Sequence, residues 1–354
     1  MSALPVVVVG AGLGGACAAL ALGRTRPVVV LDAVGPAAGA SGAAAGLVNA
    51  FTGRRAGRAW RADEARAALD RLGDEAGVPV LASGVLRPAS DPKQAAAFGR
   101  AAEAWPDEAV WVDAGASAER WPGACAPHGA LWIPGGGHVS VPDLVRGALA
   151  ASGRFGTETR WGVRLVGWRV DPEGLVAITD QGEIRASALV LCPGADLLPS
   201  LDRFAFGRVR GQTITLGARL PAGFPAVAAG TYIVPTNAGV VVGATYEHTF
   251  SGLAVDAAAS VALRERAARL VPELAEAPVV SARVGVRLTV PASVSPERLP
   301  RVGEVAPGVW LFAGFGSRGL LTAPLLAESL PDWLLDPPSV PAELRPAEMR
   351  PAEG

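Results

Sequence analysis

Apolar and polar positions along this chain follow two periodicities. Residues 6–9 are VVVV, residues 28–32 are VVVLD, and the small-residue segment ACAALALG lies between them. A short β-branched run reads as a strand buried on both faces, and the segment after it reads as a helix packed on that strand. Strand-like runs return at ALVLC, 188–192, and at VWLFA, 309–313, each followed by a glycine turn. The pattern predicts helices over 58–76 and 93–105 and a third starting near Pro142, a residue suited to a first helical turn. GVLRPA at 84–89 reads as a short strand, and 160–184 alternates as antiparallel hairpins do. Residues 207–217, 231–234, 238–245 and 279–290 predict a largely antiparallel sheet, with a helix over 256–270. One more strand, a glycine turn and a helix close the pattern.

Glycine-bearing turns therefore stand at strand ends near residues 10, 194 and 314. This predicts an α/β fold whose Rossmann-like domain is discontinuous, built from residues 1–80, 136–200 and 296–335. The intervening 81–135 and 201–295 form a mainly antiparallel β-sheet substrate domain with helices. Residues 336–354, DPPSVPAELRPAEMRPAEG, read as a flexible proline-rich tail, because proline removes donors and blocks helix continuation.

The first βαβ unit carries chemistry. In G-x-G-x-x-G, Gly10 makes the tight turn, Gly12 lets backbone approach a pyrophosphate, and Gly15 lets helix and strand pack closely. The helix N-terminus adds free N–H groups and a positive dipole end. Asp32, closing the second strand, suits a ribose hydroxyl and repels a 2′-phosphate, which argues for a dinucleotide other than NADP. The loop at 35–49, GPAAGASGAAAGLVN, has almost no side-chain bulk, as expected where backbone presses against something flat.

Composition narrows the alternatives. A chain of 354 residues can hold two domains and a substantial core, and a net charge of −1 gives no global attraction to nucleic acid or to acidic membranes. Cys17, Cys125 and Cys192 are odd in number and widely spaced, which suits a reducing compartment and offers no zinc or disulfide pattern. Glycines at fingerprint spacing interrupt the apolar stretch 4–22 and no basic residue precedes it, so it reads neither as a leader nor as a membrane span. A cytoplasmic protein is expected. His128, His138 and His248 form no helical metal motif, so no metal is expected. Lys93, the one lysine, lies in the polar start of a predicted surface helix, and GFGSRG lacks the first glycine of a nucleophile elbow.

The motifs together resemble the D-amino-acid oxidase superfamily of FAD enzymes over most of residues 5–335. They are VVVVGAGLGGACAA with Asp32, GASGAAAG at 39–46, ALVLCPGA at 188–195, RGQ at 210–212, YIVP at 232–235, VVVGATYE at 240–247, GVR at 285–287 and FAGFGSRGLLTAPLLAE at 312–328. The superfamily includes glycine oxidase and the FAD oxidase half of the bifunctional enzyme that makes 5-methylaminomethyl-2-thiouridine in tRNA. The resemblance implies non-covalent FAD, since no cysteine follows Cys192, and oxidation of the carbon–nitrogen bond of a small amino acid or N-substituted glycine. It further implies that Ser41, Gly42, Gly194, Gly314 and Gly316 join Gly10, Gly12, Gly15 and Asp32 around the cofactor. Arg287, costly in an apolar strand unless paired, matches an arginine that grips the substrate carboxylate; a structural ion pair is the alternative. Tyr232 matches a pocket tyrosine, with plain sheet packing the alternative, and Arg318 is expected to hold substrate or flavin or else to lie on the surface. Tyr246 and His248 are read as dispensable. Arg54, Arg55, Arg58, Arg61 and Arg66 contact an anionic substrate or tRNA phosphates, or form a solvated face offset by Asp63 and Glu64. Three other functions stay open: a tRNA-modifying oxidase acting on carboxymethylaminomethyl uridine, a flavin-carrying subunit of a complex, and a 2-hydroxy-acid dehydrogenase.

Overall fold

Val6–Val9 lies inside a six-stranded sheet whose order runs Glu158–Trp161, Val28–Asp32, Val6–Val9, Ala188–Leu191, Val309–Ala313, Arg301–Ala306. The first five are parallel and the last is antiparallel. The computed structural model describes residues 3–346. The sheet thus draws strands from the beginning, middle and end of the chain. The fold is α/β: a Rossmann-like domain of discontinuous segments beside a mainly antiparallel sheet domain with helices.

The helix Leu13–Gly23 is buried at every position except Gly14, packed among the sheet and the helices Val141–Gly153 and Gly319–Ala327. A helix enclosed on all sides has no use for a polar face, and its small residues let three neighbours approach at once. On the sheet's other face sits a three-stranded meander, Leu165–Asp171, Gly174–Thr179 and Gly182–Ala186, whose Leu165, Leu175 and Ala177 pack with Val7, Leu189 and Leu311. The alternation from 160 on therefore belongs to two structures. Its first residues, in Glu158–Trp161, pair in parallel with Val28–Asp32 as an edge strand whose exposed side chains leave no buried-strand signature.

The second sheet has eight strands, in the order Val279–Thr289, Gly207–Leu216, Gly239–Gly243, Tyr232–Thr236, Ala226–Ala228, Val85–Pro88, Ala130–Ile133, Val110–Val112. Every pairing is antiparallel except Ala226–Ala228 with Val85–Pro88. Its two faces are covered by different helices. Leu86, Ile214 and Val242 pack with Leu263 and Ala267 of the helix Ala257–Leu270, whereas Val85, Leu131 and Val234 pack with Phe98 of the helix Pro92–Ala104.

Two expectations need correction. The helix read over 58–76 begins at Ala62, because Phe51–Thr52 and Gly57–Arg58 pair as a hairpin and buried Phe51 anchors it. The tail read as flexible from 336 docks over its described part. Val340 and Leu344 are buried in the core of the first domain, Arg301 Nη1 donates to the Glu343 carbonyl at 2.6 Å, and Arg345 Nε donates to that of Val340 at 2.8 Å. Two apolar side chains in a proline-rich segment are enough to seat it. The remainder of the tail reading, 347–354, lies outside the described residues.

Candidate cofactor and substrate site

The turn after the first strand is built around carbonyls that leave no room for side chains. Gly10 has φ of +104°, and a Cβ there would stand 2.2 Å from the Cys192 carbonyl oxygen; a Cβ on Gly15 would stand 1.7 Å from that of Gly10. Gly12 differs. Its φ of −79° suits any residue, and an added Cβ would meet only Ser41 Oγ, at 3.3 Å. No protein atom within reach demands glycine there.

Asp32 clasps this turn. Oδ2 accepts the Ala11 N–H at 2.7 Å, and Oδ1 accepts those of Val34 and Gly35, each at 2.8 Å. Four lone-pair sites less three leave the carboxylate one acceptor site for a ribose hydroxyl. Ser41 Oγ accepts the Leu13 N–H at 3.0 Å, so it caps the helix in addition to lining the groove. Among the described residues, the N–H groups of Gly12, Gly14 and Gly15 have no protein acceptor. Three unpaired donors at a helix N-terminus, beside the partly open Gly10, Gly12 and Asp32, fit a pyrophosphate.

The small-residue loop joins this groove to the second sheet. Gly42 approaches the Ala37 carbonyl so closely that a Cβ would stand 2.2 Å from its oxygen, and Gly285 packs against Ala40 backbone. Arg283 Nη1 and Thr213 Oγ1 donate to the carbonyls of Gly42 and Ala43 at 3.0 and 3.1 Å. The last glycine turn comes to the same place, with Gly316 N–H donating to the Leu288 carbonyl at 2.9 Å. Gly314 and Gly316 have φ of +82° and +55°, but the crowding at Gly314 comes from Phe206 and Val290. Gly194, at φ +58°, turns into open space.

Arg287 projects from the strand beside this junction. Its Nη2 lies over Gly211, near enough that a Cβ there would stand 2.8 Å away, and makes a long 3.4 Å contact with the Thr245 carbonyl. Among the described residues it has no carboxylate partner. The ring of Tyr246 lies 5.2 Å from its guanidinium carbon, and His248 meets that ring edge-on. Tyr232 neighbours the same cation. Burial pushes its phenol up to about 12, with Arg287 partly opposing that shift. The ion pair that Arg287 was expected to need belongs to Arg210, which is buried and bonds both Glu247 oxygens at 2.7 Å. Gln212 ties the same strand to the next helix through the Asp256 carbonyl and Ser260 Oγ, both at 2.8 Å. These supports of the RGQ motif are spread over 50 residues, and only the motif itself pointed to them.

Arg318 is half-buried at the start of the helix Gly319–Ala327, with Nη1 donating to the Glu297 carbonyl and burial lowering its pKa. The arginine run is mostly neutralised: Arg54 pairs with Asp91, Arg58 with Asp63 and Glu108, Arg61 with Glu64, and Arg66 with Asp70. Arg55 alone of the five makes no ion pair among the described residues. Lys93 stands exposed in the first turn of its helix, and no cluster of metal ligands occurs among the described residues. No helix among them is long and apolar enough to cross a membrane.

Comparison with known proteins agrees with this geometry. The chain is 33% identical over 356 residues to the tRNA 5-methylaminomethyl-2-thiouridine biosynthesis bifunctional protein MnmC of Maricaulis maris (strain MCS10), covering 94% of this chain and 52% of that protein. It spans about half the length of the curated relatives of that name. It is 29% identical over 343 residues to glycine oxidase of Geobacillus kaustophilus (strain HTA426), covering 90% of each. The crystal structure of glycine oxidase from Geobacillus kaustophilus superposes with a TM-score of 0.82 at 27% identity, covering 95% of both chains. The family model described as FAD dependent oxidoreductase, DAO, matches residues 5–333, and the chain belongs to that FAD-dependent enzyme family.

Proposed function

We propose that this enzyme oxidises the carbon–nitrogen bond of a small amino acid or N-substituted glycine. The observation that carries the reading is Arg287, a guanidinium without a carboxylate partner, held over Gly211 and beside Tyr232. A planar fork with free donors matches a carboxylate bidentately. Because Tyr232 keeps its proton at any ordinary pH, it donates a second hydrogen bond to that carboxylate or to the amine lone pair. These contacts fix one end of the substrate, so the carbon beside the nitrogen is presented in a single orientation. FAD would supply the hydride acceptor for that carbon. The free N–H groups of Gly12, Gly14 and Gly15 would hold its pyrophosphate and Asp32 its ribose, with the Ser41–Gly42 loop and the Gly314–Gly316 turn flanking the rest. In this reading segments 1–80, 136–200 and 296–335 carry the cofactor, 81–135 and 201–295 shape the substrate pocket, and Arg318 braces the turn. The enzyme acts in the cytoplasm, where its unpaired cysteines stay reduced.

A second reading keeps the chemistry and places the amine on a carboxymethylaminomethyl uridine of tRNA. It is favoured by the names of the relatives at 33 and 35% identity and opposed by the ion pairing of the arginine run. The test is anaerobic bleaching of the flavin by glycine, sarcosine, proline, D-amino acids, 2-hydroxy acids and undermodified tRNA. Reduction by amines with a carboxylate is expected, with Arg287→Ala raising the apparent dissociation constant roughly 10- to 100-fold. Fast reduction by a hydroxy acid and none by any amine would reject the proposal.

A further inference from the structure

Arg55 and Arg100 line a cavity outside the cofactor groove. They stand, with Arg58, Gly57, Ala101 and Trp105, around a cavity of about 440 Å³ between the 51–58 hairpin and the helix Pro92–Ala104. The cavity shares no residue with the groove described above. Its charge is uneven. Arg58 is spoken for by Glu108 and Asp63, whereas Arg55 and Arg100 are exposed and make no ion pair or hydrogen bond among the described residues. Beneath the same helix, buried Arg87 donates to the carbonyls of Phe51 and Gly53, at 2.9 and 2.7 Å, under the ring of Phe98 and with no carboxylate partner among the described residues. That uncompensated cation adds to the positive potential of the hairpin. Trp105 supplies the remaining element. It is 41% exposed, and the Arg58 guanidinium carbon lies 4.5 Å from its ring centroid, so a large aromatic surface is held rigidly at the rim. Two uncommitted guanidinium groups lining one cavity with a part-exposed indole match an anion carried on a flat ring.

We propose that this cavity binds a nucleotide, with its phosphate bridged between Arg55 and Arg100 and its base laid on Trp105. The same chemistry is offered by a free mononucleotide and by one residue of a single RNA strand. The proposal is independent of the amine reading, because it concerns binding alone.

The test uses FAD-saturated protein, so that the cofactor groove is filled, with uridine 5′-monophosphate, hexauridylate and inorganic phosphate as probes in calorimetry. Uridine monophosphate or hexauridylate is expected to bind in the millimolar range or tighter. The double variant R55Q/R100Q should weaken binding by about tenfold per guanidinium, and Trp105→Phe, which keeps a stacking ring, should stay within about threefold. Hexauridylate at least tenfold tighter than the monophosphate assigns the site to an RNA strand; equal affinities assign it to a free nucleotide. Absence of binding by both uridine probes, affinity unchanged in R55Q/R100Q, or phosphate binding as tightly as the monophosphate would overturn the proposal. Melting curves and the flavin spectrum of the variants separate loss of binding from loss of fold.

Discussion

Substituting Gly12 and Gly15 by alanine should damage the protein in two different ways. At Gly15 the new methyl group would stand 1.7 Å from the Gly10 carbonyl oxygen, a contact real Cβ atoms do not make. Both partners are backbone, so the helix Leu13–Gly23 must move off its strand. Overpacking of this kind costs about 1–3 kcal/mol, and here the upper end applies because that helix is buried on all sides. At Gly12 the new methyl group meets only Ser41 Oγ at 3.3 Å, with backbone angles alanine accepts. The FAD-free Gly12→Ala protein should therefore melt close to the wild type, and the FAD-free Gly15→Ala protein several degrees lower. With cofactor the order changes. If the pyrophosphate sits on Gly12, its methyl group occupies that space, and FAD affinity should fall at least about tenfold, or 1.4 kcal/mol. The measurements are thermal melting with and without FAD and titration of flavin absorbance. Gly12→Ala protein that binds FAD as tightly as wild type would refute the assignment of that edge. An unchanged melting temperature in FAD-free Gly15→Ala would refute the steric argument.

Other outcomes follow from the second sheet and the loops around it. Glu247→Gln leaves the buried Arg210 cation against a neutral amide; since the Glu247 side chain is 32% exposed, the loss should be about 2 kcal/mol, below the roughly 3–5 of a fully enclosed pair, and urea unfolding would show it. His138 is buried, with Nδ1 3.3 Å from Ser83 Oγ, and burial lowers its pKa below 6.5. Its contribution to stability is complete above about 6.5 and is lost as pH falls through the folded value, because the unfolded chain takes up the proton more readily. His138 pairs with Leu47 at the end of the small-residue loop, so acid should loosen the cofactor, and His138→Gln should flatten FAD retention as pH falls below about 6.5. Tyr232→Phe removes a protonated donor without creating a charge. Substrate affinity should drop about 3- to 10-fold with no change in pH profile between 6 and 9, and a new inflection in that range would contradict its assignment as a neutral hydroxyl.

What could be read from sequence was whatever is enforced locally. Gly10 and Gly15 declared themselves because the demand on each is steric and lies within a single βαβ unit, and the valine runs because strands buried on both faces carry no polar positions. The division into two sheets was legible from the return of strand and glycine turn near 190 and 310. Long-range pairing was not. Arg58 meets Glu108 across 50 residues and Arg71 meets Glu328 across 257, whereas the offset of the basic run by Asp63 and Glu64 is local and stood in the sequence. Asp32 hid its grip on Ala11, Val34 and Gly35, since a carboxylate's acceptor count is not encoded in spacing. The docking of Val340 and Leu344 was masked by the prolines around them. Local propensity reports the backbone's reluctance to form a helix and says nothing of a hydrophobic slot waiting elsewhere.

The interleaving of the first sheet constrains how the enzyme comes into being. Val6–Val9 is made some 180 residues before its neighbour Ala188–Leu191, and the next strand after that is Val309–Ala313. During synthesis Val6–Val9 keeps one flank bare until Ala188–Leu191 is made, and that strand in turn waits for Val309–Ala313 while five of the eight strands of the antiparallel sheet are translated. The glycine fingerprint therefore gains its full sheet only once Val309–Ala313 has been made, and a chain stalled before that strand would carry Gly10, Gly12 and Gly15 in an unfinished sheet.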